Sequence, residues 1–285
     1  MTKSKIGPAA FLRLAFAIVA VTGLALAPFQ PAAHAQDGKR LDAPVAAPAP
    51  AKPPAQATSA MKDLILRKAE GAYYILQTQG LKSFQCVIQP NWAQIVTDPA
   101  QLALVNQVRF TAAIDDQGGA TVTPFLPSGA AIDPSLNDLV GGLQQAAEGF
   151  FQTWNSLVFS RVFSPDDDDQ LVYSSQADGY HFAQKTSDAN VDIVMTRDAL
   201  INAMKVTTSS SVIEMSPVYI ATDNGLLLSS MNSVIDGGKQ KVNFQLQYQL
   251  VDGLELPAMA AYQVTFPDQT VSIDMSFSGY KTVRQ

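Results

Sequence analysis

Cysteine and histidine, the residues that most often carry metal sites and nucleophilic catalysis, are almost absent from this chain. Its 285 residues include one cysteine, two histidines and two tryptophans. One cysteine, Cys86, excludes an internal disulfide, so packing must stabilise the fold. We expect Cys86 to act as a small buried apolar residue, and the alternative is a reactive thiol.

The N-terminal segment has the three parts of a secretory signal peptide. Residues 1–13 carry three positive charges, residues 12–27 form an apolar run, and residues 33–35 read Ala-His-Ala before Gln36. The alternative is an N-terminal membrane anchor, for which the uncharged run is short. We predict that residues 1–35 are removed by cleavage near Ala35 and that the mature protein is periplasmic or secreted.

Charge and composition narrow the classes of partner and cofactor. Removing residues 1–35 leaves 16 basic residues against 25 acidic ones, a net charge of −9. Nucleic acids and anionic membrane surfaces reward clustered Lys and Arg, so we expect no nucleic-acid partner. The mature chain keeps one histidine and one cysteine, too few for the three or four ligands of a zinc site. We therefore expect no cofactor and no metal site.

A spacer is predicted to separate the signal peptide from one folded domain. Residues 36–57 are rich in Ala and Pro and have almost no large apolar side chains, which is typical of an extended linker. Residues 58–285 form a single β-rich domain in this interpretation, long enough to bury a sizeable core.

Two long stretches have helical periodicity. Apolar residues recur every three or four positions over 59–79, with Gly80 as the expected stop, and over 136–158. Asp98-Pro99 predicts the start of a short helix through about Val105, because Asp suits the N-cap and Pro the first helical position. Residues 198–208 fit a short helix or a strand.

Most of the remaining chain alternates between apolar and polar residues, as half-buried strands do. Within 242–251 the apolar side chains lie on one face and four Asn or Gln side chains on the other. Similar strands are predicted at 258–266 and 270–278, and at several earlier positions separated by Asp-Gly or Asn-Gly turns. The sequence therefore predicts an α+β fold, in which a curved antiparallel β-sheet, an incomplete barrel, has helices covering its concave face.

Candidate catalytic groups are isolated in the sequence. His181 lies on a probable strand with no G-x-S-x-G motif, which favours an exposed strand histidine over a triad member. Asp166 to Asp169 are consecutive, without the alternating ligands and turn glycine of a calcium loop, so we interpret them as a solvated loop, and weak ion binding is the alternative. Four glutamates cannot be paired into a glycosidase site from sequence. We expect the protein not to be an enzyme.

The C-terminal part resembles a known group of envelope proteins. Residues 216–234 and 244–264, with Gly80–Ile88, resemble the outer-membrane lipoprotein-sorting and carrier proteins, the LolA/LppX-like group. The shared pattern is a strand that ends in a turn with spaced Tyr, Val, Gly-Leu and Leu-Pro positions; the matching residues are Tyr248, Val251, Gly253, Leu254, Leu256 and Pro257. The resemblance implies an incomplete antiparallel barrel with a helical lid over an apolar cavity that receives acyl chains, and a carrier or chaperone role in a bacterial envelope.

The leading hypothesis is therefore a periplasmic or secreted binding protein for a lipid or a lipid-modified protein partner, with a further partner in the envelope or outer membrane. Ten apolar residues are predicted to bind the lipid: Phe244, Leu246, Tyr248, Tyr262, Val264 and Phe266 on the sheet, and Leu139, Leu143, Phe150 and Trp154 on the helical lid. The alternative is an envelope-associated scaffold in which these residues form a permanently filled core. The oligomeric state stays open.

Overall fold

The computed structural model describes residues 55–160, 171–185 and 189–285. The predicted signal peptide, most of the predicted linker and the run Asp166 to Asp169 lie outside the described residues. Three α-helices are described: α1 (Ala55–Ala72), α2 (Pro99–Val105) and α3 (Asn137–Val158). None of these described helices is long and apolar enough to cross a membrane.

Twelve β-strands make up most of the described chain. Their bounds are β1 Leu81–Pro90, β2 Arg109–Ile114, β3 Ala120–Phe125, β4 Val172–Gln176, β5 Gly179–Lys185, β6 Ala189–Met195, β7 Ile201–Thr208, β8 Val212–Thr222, β9 Gly225–Ile235, β10 Gln240–Val251, β11 Leu254–Thr265 and β12 Thr270–Arg284. The stretch at 198–208, which fitted either a helix or a strand, is thus mainly strand β7.

All twelve strands belong to one antiparallel sheet. Its order is β3-β2-β1-β12-β11-β10-β9-β8-β7-β6-β5-β4. The last strand pairs with the first, with Leu81 opposite Arg284 and Pro90 opposite Met275. β3 and β4 are the two edges and do not pair with each other, so the sheet is open. The prediction of an open antiparallel sheet is confirmed at this level.

The strand register collects the apolar side chains on one face. Val242 of β10 lies opposite Val264 of β11, which lies opposite Val271 of β12. All three side chains are buried. The polar residues that alternate with the apolar ones along these strands, such as Gln245 and Gln263, are exposed on the other face. The period of two thus predicts the buried side of these strands as far as Tyr248. Beyond the register shift at Gln247 and Tyr248 it fails, because Leu250, which the alternation places on the apolar face, is 70% exposed.

Helix α1 ends earlier than the periodicity predicts. It stops at Ala72 instead of near Gly80, because the following residues exchange helical hydrogen bonds for contacts with other elements. The Tyr74 amide donates to the Leu226 carbonyl at 2.9 Å, and the Leu76 amide donates to the Val158 carbonyl at 2.8 Å. Gly225 permits this approach, since a Cβ there would lie 2.9 Å from the Tyr73 carbonyl carbon.

The predicted turn near Pro257 is also displaced. The turn between β10 and β11 is formed by Asp252 and Gly253, both with positive φ, and β11 already begins at Leu254. Pro257 therefore lies inside the strand. It is opposite Tyr248 where the register shifts by one residue, and a bulge of this kind is a site where a strand tolerates proline.

Helix α3 packs on the apolar face of the sheet. Twelve of its 22 residues are buried. The Phe150 ring lies 5.5 Å from the ring centroids of both Phe244 and Phe277, which places it between β10 and β12. The helix predicted at 136–158 is confirmed, and so is the helix that Asp98 caps by accepting from the Gln101 amide at 2.8 Å.

Replacing Phe150 with alanine is expected to lower the free energy of unfolding by about 3–5 kcal/mol, because the cavity left among its aromatic neighbours cannot refill. Urea unfolding of the chain from residue 36 to residue 285 measures the change. The control is Leu104→Ala on α2, where the side chain is 50% exposed and the expected change is below about 0.5 kcal/mol. Equal losses in the two variants would contradict the packing described for α3.

Candidate functional site

The six predicted sheet residues lie together on or beside two paired strands. Phe244, Leu246 and Tyr248 are on β10, Tyr262 and Val264 are on β11, and Phe266 follows β11 directly. Phe244 is directly opposite Tyr262, and their rings are stacked with centroids 6.1 Å apart. Phe266 and Tyr248 are half-buried, and the other four are buried. These residues therefore form one apolar surface.

The four predicted helix residues all lie on α3. Leu143, Phe150 and Trp154 are buried, and Leu139 is half-buried. The Trp154 indole N–H donates to the Tyr248 hydroxyl at 3.1 Å, and that hydroxyl donates to the Leu228 carbonyl at 2.6 Å. The predicted helix and sheet residues thus lie together and contact each other directly. Their role in binding lipid stays a prediction.

Sequence reasoning missed several members of this cluster. Phe277 stacks on Phe150, and Phe84 of β1 has its ring centroid 6.2 Å from Trp154. Alternation in β12 had placed Phe277 on the buried face of its strand. Only the pairing of β1 with β12 brings Phe84 and Phe277 to the same part of the sheet, and that pairing has no local signal.

A second apolar cluster lies on the same face of the sheet, towards β4. We call it the α1 cluster. The two clusters meet at Met204 and Met215, which pack against both and lie opposite each other on β7 and β8. The α1 cluster takes three residues from α1, namely Ile65, Leu66 and Ala69. Its residues from the sheet region are Leu171, Phe182, Ala189, Val191, Ile193, Met195, Ala199, Ile201 and Val206.

Helix α1 covers this second cluster thinly. Among its described side chains only Ile65, Leu66 and Ala69 are buried. Met61 and Leu64, which the periodicity placed on the buried face, are 46% and 56% exposed. A helix that leaves half of its apolar stripe in solvent is held by far less buried surface than α3 is.

The chain directly after α1 is held much more firmly than the helix. The Tyr73 hydroxyl accepts a hydrogen bond from the Ile201 amide at 2.5 Å, and the Tyr73 ring lies 5.0 Å from that of Tyr219. The Tyr74 hydroxyl accepts from the Glu255 amide at 2.9 Å. Earlier along the helix, an ion pair between α1 and the sheet region joins the exposed groups of Lys68 and Asp198. The chain that follows α1 is therefore anchored to the sheet, whereas α1 itself is loosely held.

The polar groups with catalytic potential are dispersed. His181 Nε2 lies 2.8 Å from Asp178 Oδ1, and this hydrogen bond holds the pKa of the Asp178 carboxyl below its usual range. The His181 side chain is 25% exposed, so it is more buried than an exposed strand histidine. Within residues 55–160, 171–185 and 189–285, no three His, Cys, Asp or Glu side chains converge as a metal site would require.

An open cavity of about 480 Å³ lies near the β1–β2–β12 end of the sheet. It is lined by residues of the polar face, among them Ser83, Gln85, Thr121 and Lys281, and by Asp115. Apolar residues, among them Ile114 and Val283, line it as well, so its lining is mixed. Because Ser83, Gln85 and Lys281 belong to the polar face, the cavity is on the wrong face of the sheet for the predicted acyl site.

Cys86 is expected to be unreactive in the folded protein. It is buried, and burial raises the pKa of its thiol to about 12, although a hydrogen bond with Tyr280 opposes the shift. At pH 8 the reactive thiolate is therefore scarce, and its fraction rises only as the pH approaches 12. We expect an aromatic disulfide reagent to label one thiol per chain in urea and none in native buffer. Rapid labelling of the native protein would contradict this placement.

The comparisons with known proteins assign no family. No protein-family model matches the chain, and no curated protein matches it. Among solved structures, the crystal structure of MucB in complex with MucA(peri) aligns with 80% of this chain and 99% of that chain, at 9% identity. The TM-score is 0.14, which is too low to support an inference about fold or partner.

Proposed function

We propose that this is a non-enzymatic binding protein of the periplasm or the extracellular space. Its ligand is a lipid, or the acyl chain of a lipid-modified protein, held on the apolar face of the sheet. In this proposal the sheet is curved and the helices lie on its concave side. Support comes from a long one-sided sheet with a continuous apolar face and from a signal-peptide pattern at the N-terminus.

The observation that carries the proposal is the thin cover that α1 gives to the α1 cluster. Ile65 and Leu66 of α1 belong to the same buried cluster as Phe182 and Ile193, which lie opposite each other on paired strands, and in this proposal lifting α1 opens that cluster to a ligand. The anchored residues after α1 would serve as the hinge. Since Met61 and Leu64 are already exposed, they would add apolar contacts once a ligand lies between helix and sheet.

The energies of lifting and binding are comparable, so displacement is reversible. Burying Ile65 and Leu66 stabilises the closed helix by roughly 3–6 kcal/mol, at about 1.5–3 kcal/mol for each side chain. An acyl chain gains about 0.8 kcal/mol per buried methylene, so about eight methylenes offset that loss. A fatty-acyl chain of ordinary length is therefore sufficient, and a short polar ligand is not.

The half of the sheet beneath α3 is less suited to an exchangeable ligand. Phe150 is in contact with two sheet aromatics, and Trp154 is hydrogen-bonded to Tyr248. Opening this interface would expose twelve buried helix residues at once. We propose that the α3 interface is permanent core and that the lipid-binding role predicted for its residues passes to the α1 cluster.

The second candidate function is an envelope-associated scaffold whose core is permanently filled. The close contacts between α3 and the sheet favour it. The two candidates differ in one respect that can be measured, namely whether α1 moves to admit a ligand. If α1 is as permanent as α3, the whole apolar face is core and no acyl chain can be bound.

The first test is native mass spectrometry of the mature protein purified from its own envelope fraction, with lipid extraction of the same sample. We expect a co-purifying acylated species, and we expect delipidated protein to take up palmitate. Ile193→Ala should weaken palmitate binding several-fold because it shortens the wall of the site. Leu104→Ala is the matched control for a truncated apolar side chain outside the site and should bind as the unaltered protein does.

The variant Phe150→Ala separates the two candidates further. Under the binding proposal it lowers stability and leaves palmitate uptake unchanged, because the ligand lies under α1. Ligand-free protein that refuses palmitate and a diacylated lipopeptide would overturn the binding proposal and support the scaffold. Uptake that depends on Phe150 and not on Ile193 would return the site to α3.

A further inference from the structure

The two edges of the sheet are protected very differently. At the β3 edge, the Val122 amide donates to Glu148 Oε1 of α3 at 3.3 Å, so it points away from β2. Pro124, two residues on, faces the same edge and has no amide hydrogen. A bound carboxylate and a proline are both devices that prevent another strand from pairing. The β3 edge is therefore closed.

The β4 edge has neither device. Its residues, Val172 to Gln176, read Val-Tyr-Ser-Ser-Gln and include no proline and no charge. In the described parts of the chain the only strand that pairs with β4 is β5. Ser174, Ser175 and Gln176 are exposed, and the Val172 side chain is 69% exposed. With respect to the described residues, the outer side of this strand is therefore a template for main-chain hydrogen bonds.

The β4–β5 hairpin shows which main-chain groups of β4 point outward, away from β5. Gln176 lies opposite Gly179 across a two-residue turn, so these two residues form a hydrogen-bonded pair. Hydrogen-bonded and non-bonded pairs alternate along an antiparallel ladder. Ser174 and Val172 therefore also bond to β5, and the N–H and C=O groups of Tyr173 and Ser175 point outward.

Arg197 holds this edge in its strand conformation. Its guanidinium donates to the Ser175 hydroxyl at 2.8 Å and to the Gln176 carbonyl, and it lies 5.1 Å from the centre of the Tyr180 ring. On the apolar side, the Tyr173 ring packs 5.5 Å from Phe182. An edge that is already ordered loses little conformational entropy when a partner strand is added.

We propose that the β4 edge binds an extended segment of a partner protein as a thirteenth strand, by β-strand addition. The segment is about five residues long, has no proline where its amides meet Tyr173 and Ser175, and places an apolar side chain beside Tyr173. It is neutral or basic, because the mature chain has a net charge of −9. The proposal does not depend on lipid binding.

A second copy of this chain fits the edge less well. Two mature chains would each bring a charge of −9 and would repel one another. Two five-residue edges also bury less than the roughly 1,200 Å² that a stable dimer needs. A short basic segment meets neither obstacle, since it brings opposite charge and requires only local contacts.

The test uses the mature protein and a synthetic heptapeptide, acetylated and amidated, of sequence Lys-Thr-Val-Thr-Val-Thr-Lys. We expect it to bind and to protect the Tyr173 and Ser175 amides from hydrogen exchange. The matched control peptide has N-methyl groups on alternate amides, which removes the donors to β4 without changing charge, and we expect no binding. Binding of both peptides alike would overturn the proposal, because it would show that main-chain pairing is not involved.

Protein variants locate the site. Ser175→Pro removes one outward amide and should weaken peptide binding about tenfold. Ser175→Ala also removes the hydroxyl that accepts from Arg197 but keeps the outward amide. Because Arg197 still contacts the Gln176 carbonyl and the Tyr180 ring, this variant should bind within about twofold of the unaltered protein. Equal binding by Ser175→Pro and the unaltered protein would refute the site, and circular dichroism establishes that the variant is folded. A peptide-free dimer in sedimentation that Ser175→Pro abolishes would assign the edge to a second copy instead.

Discussion

The pairing of the first strand with the last is the interaction on which the rest of the structure depends. β1 and β12 run antiparallel from Leu81 opposite Arg284 to Pro90 opposite Met275, and the Gln285 amide donates to the Gly80 carbonyl at 3.0 Å. This pairing adds β1, β2 and β3 to the free side of the C-terminal strands. As a result, β3 and β4, which follow each other in strand order along the chain, lie at opposite edges of a twelve-stranded sheet.

A long helix, α3, lies on the apolar face between β3 and β4 in chain order. Its 22 residues make it about 33 Å long. An apolar stripe on this helix is buried against an apolar face, with Phe150 between β10 and β12. The helix is therefore the main source of core packing.

The two helices on this face have different energetic roles. α3 buries twelve residues and contributes tryptophan and phenylalanine rings to the core, whereas α1 buries three described side chains and leaves Met61 and Leu64 in solvent. A protein that binds an exchangeable ligand needs one stable framework and one element of low local stability. The edges show the same division, since β3 is closed by Glu148 and Pro124 and β4 is open. The two binding proposals therefore both fall towards the β4 edge, whereas the aromatic packing of α3 lies over β1, β10 and β12.

Local patterns in the sequence determined the type of most elements and the buried side of the regularly alternating strands. Alternation in β10 and β12, the stripe of α3 and the Asp98-Pro99 helix start depend on neighbours within one element, so they can be read without the fold. Where α1 ends depended on Leu226, which is far away in sequence, and how Pro257 is accommodated depended on a register shift opposite Tyr248 in the β10–β11 hairpin. The same is true of the site: the sequence identified Phe244 and Phe150 as apolar, and only the strand order decided that they touch. The α1 cluster was missed for this reason, because no local pattern states how many buried side chains a covering helix will share with the sheet.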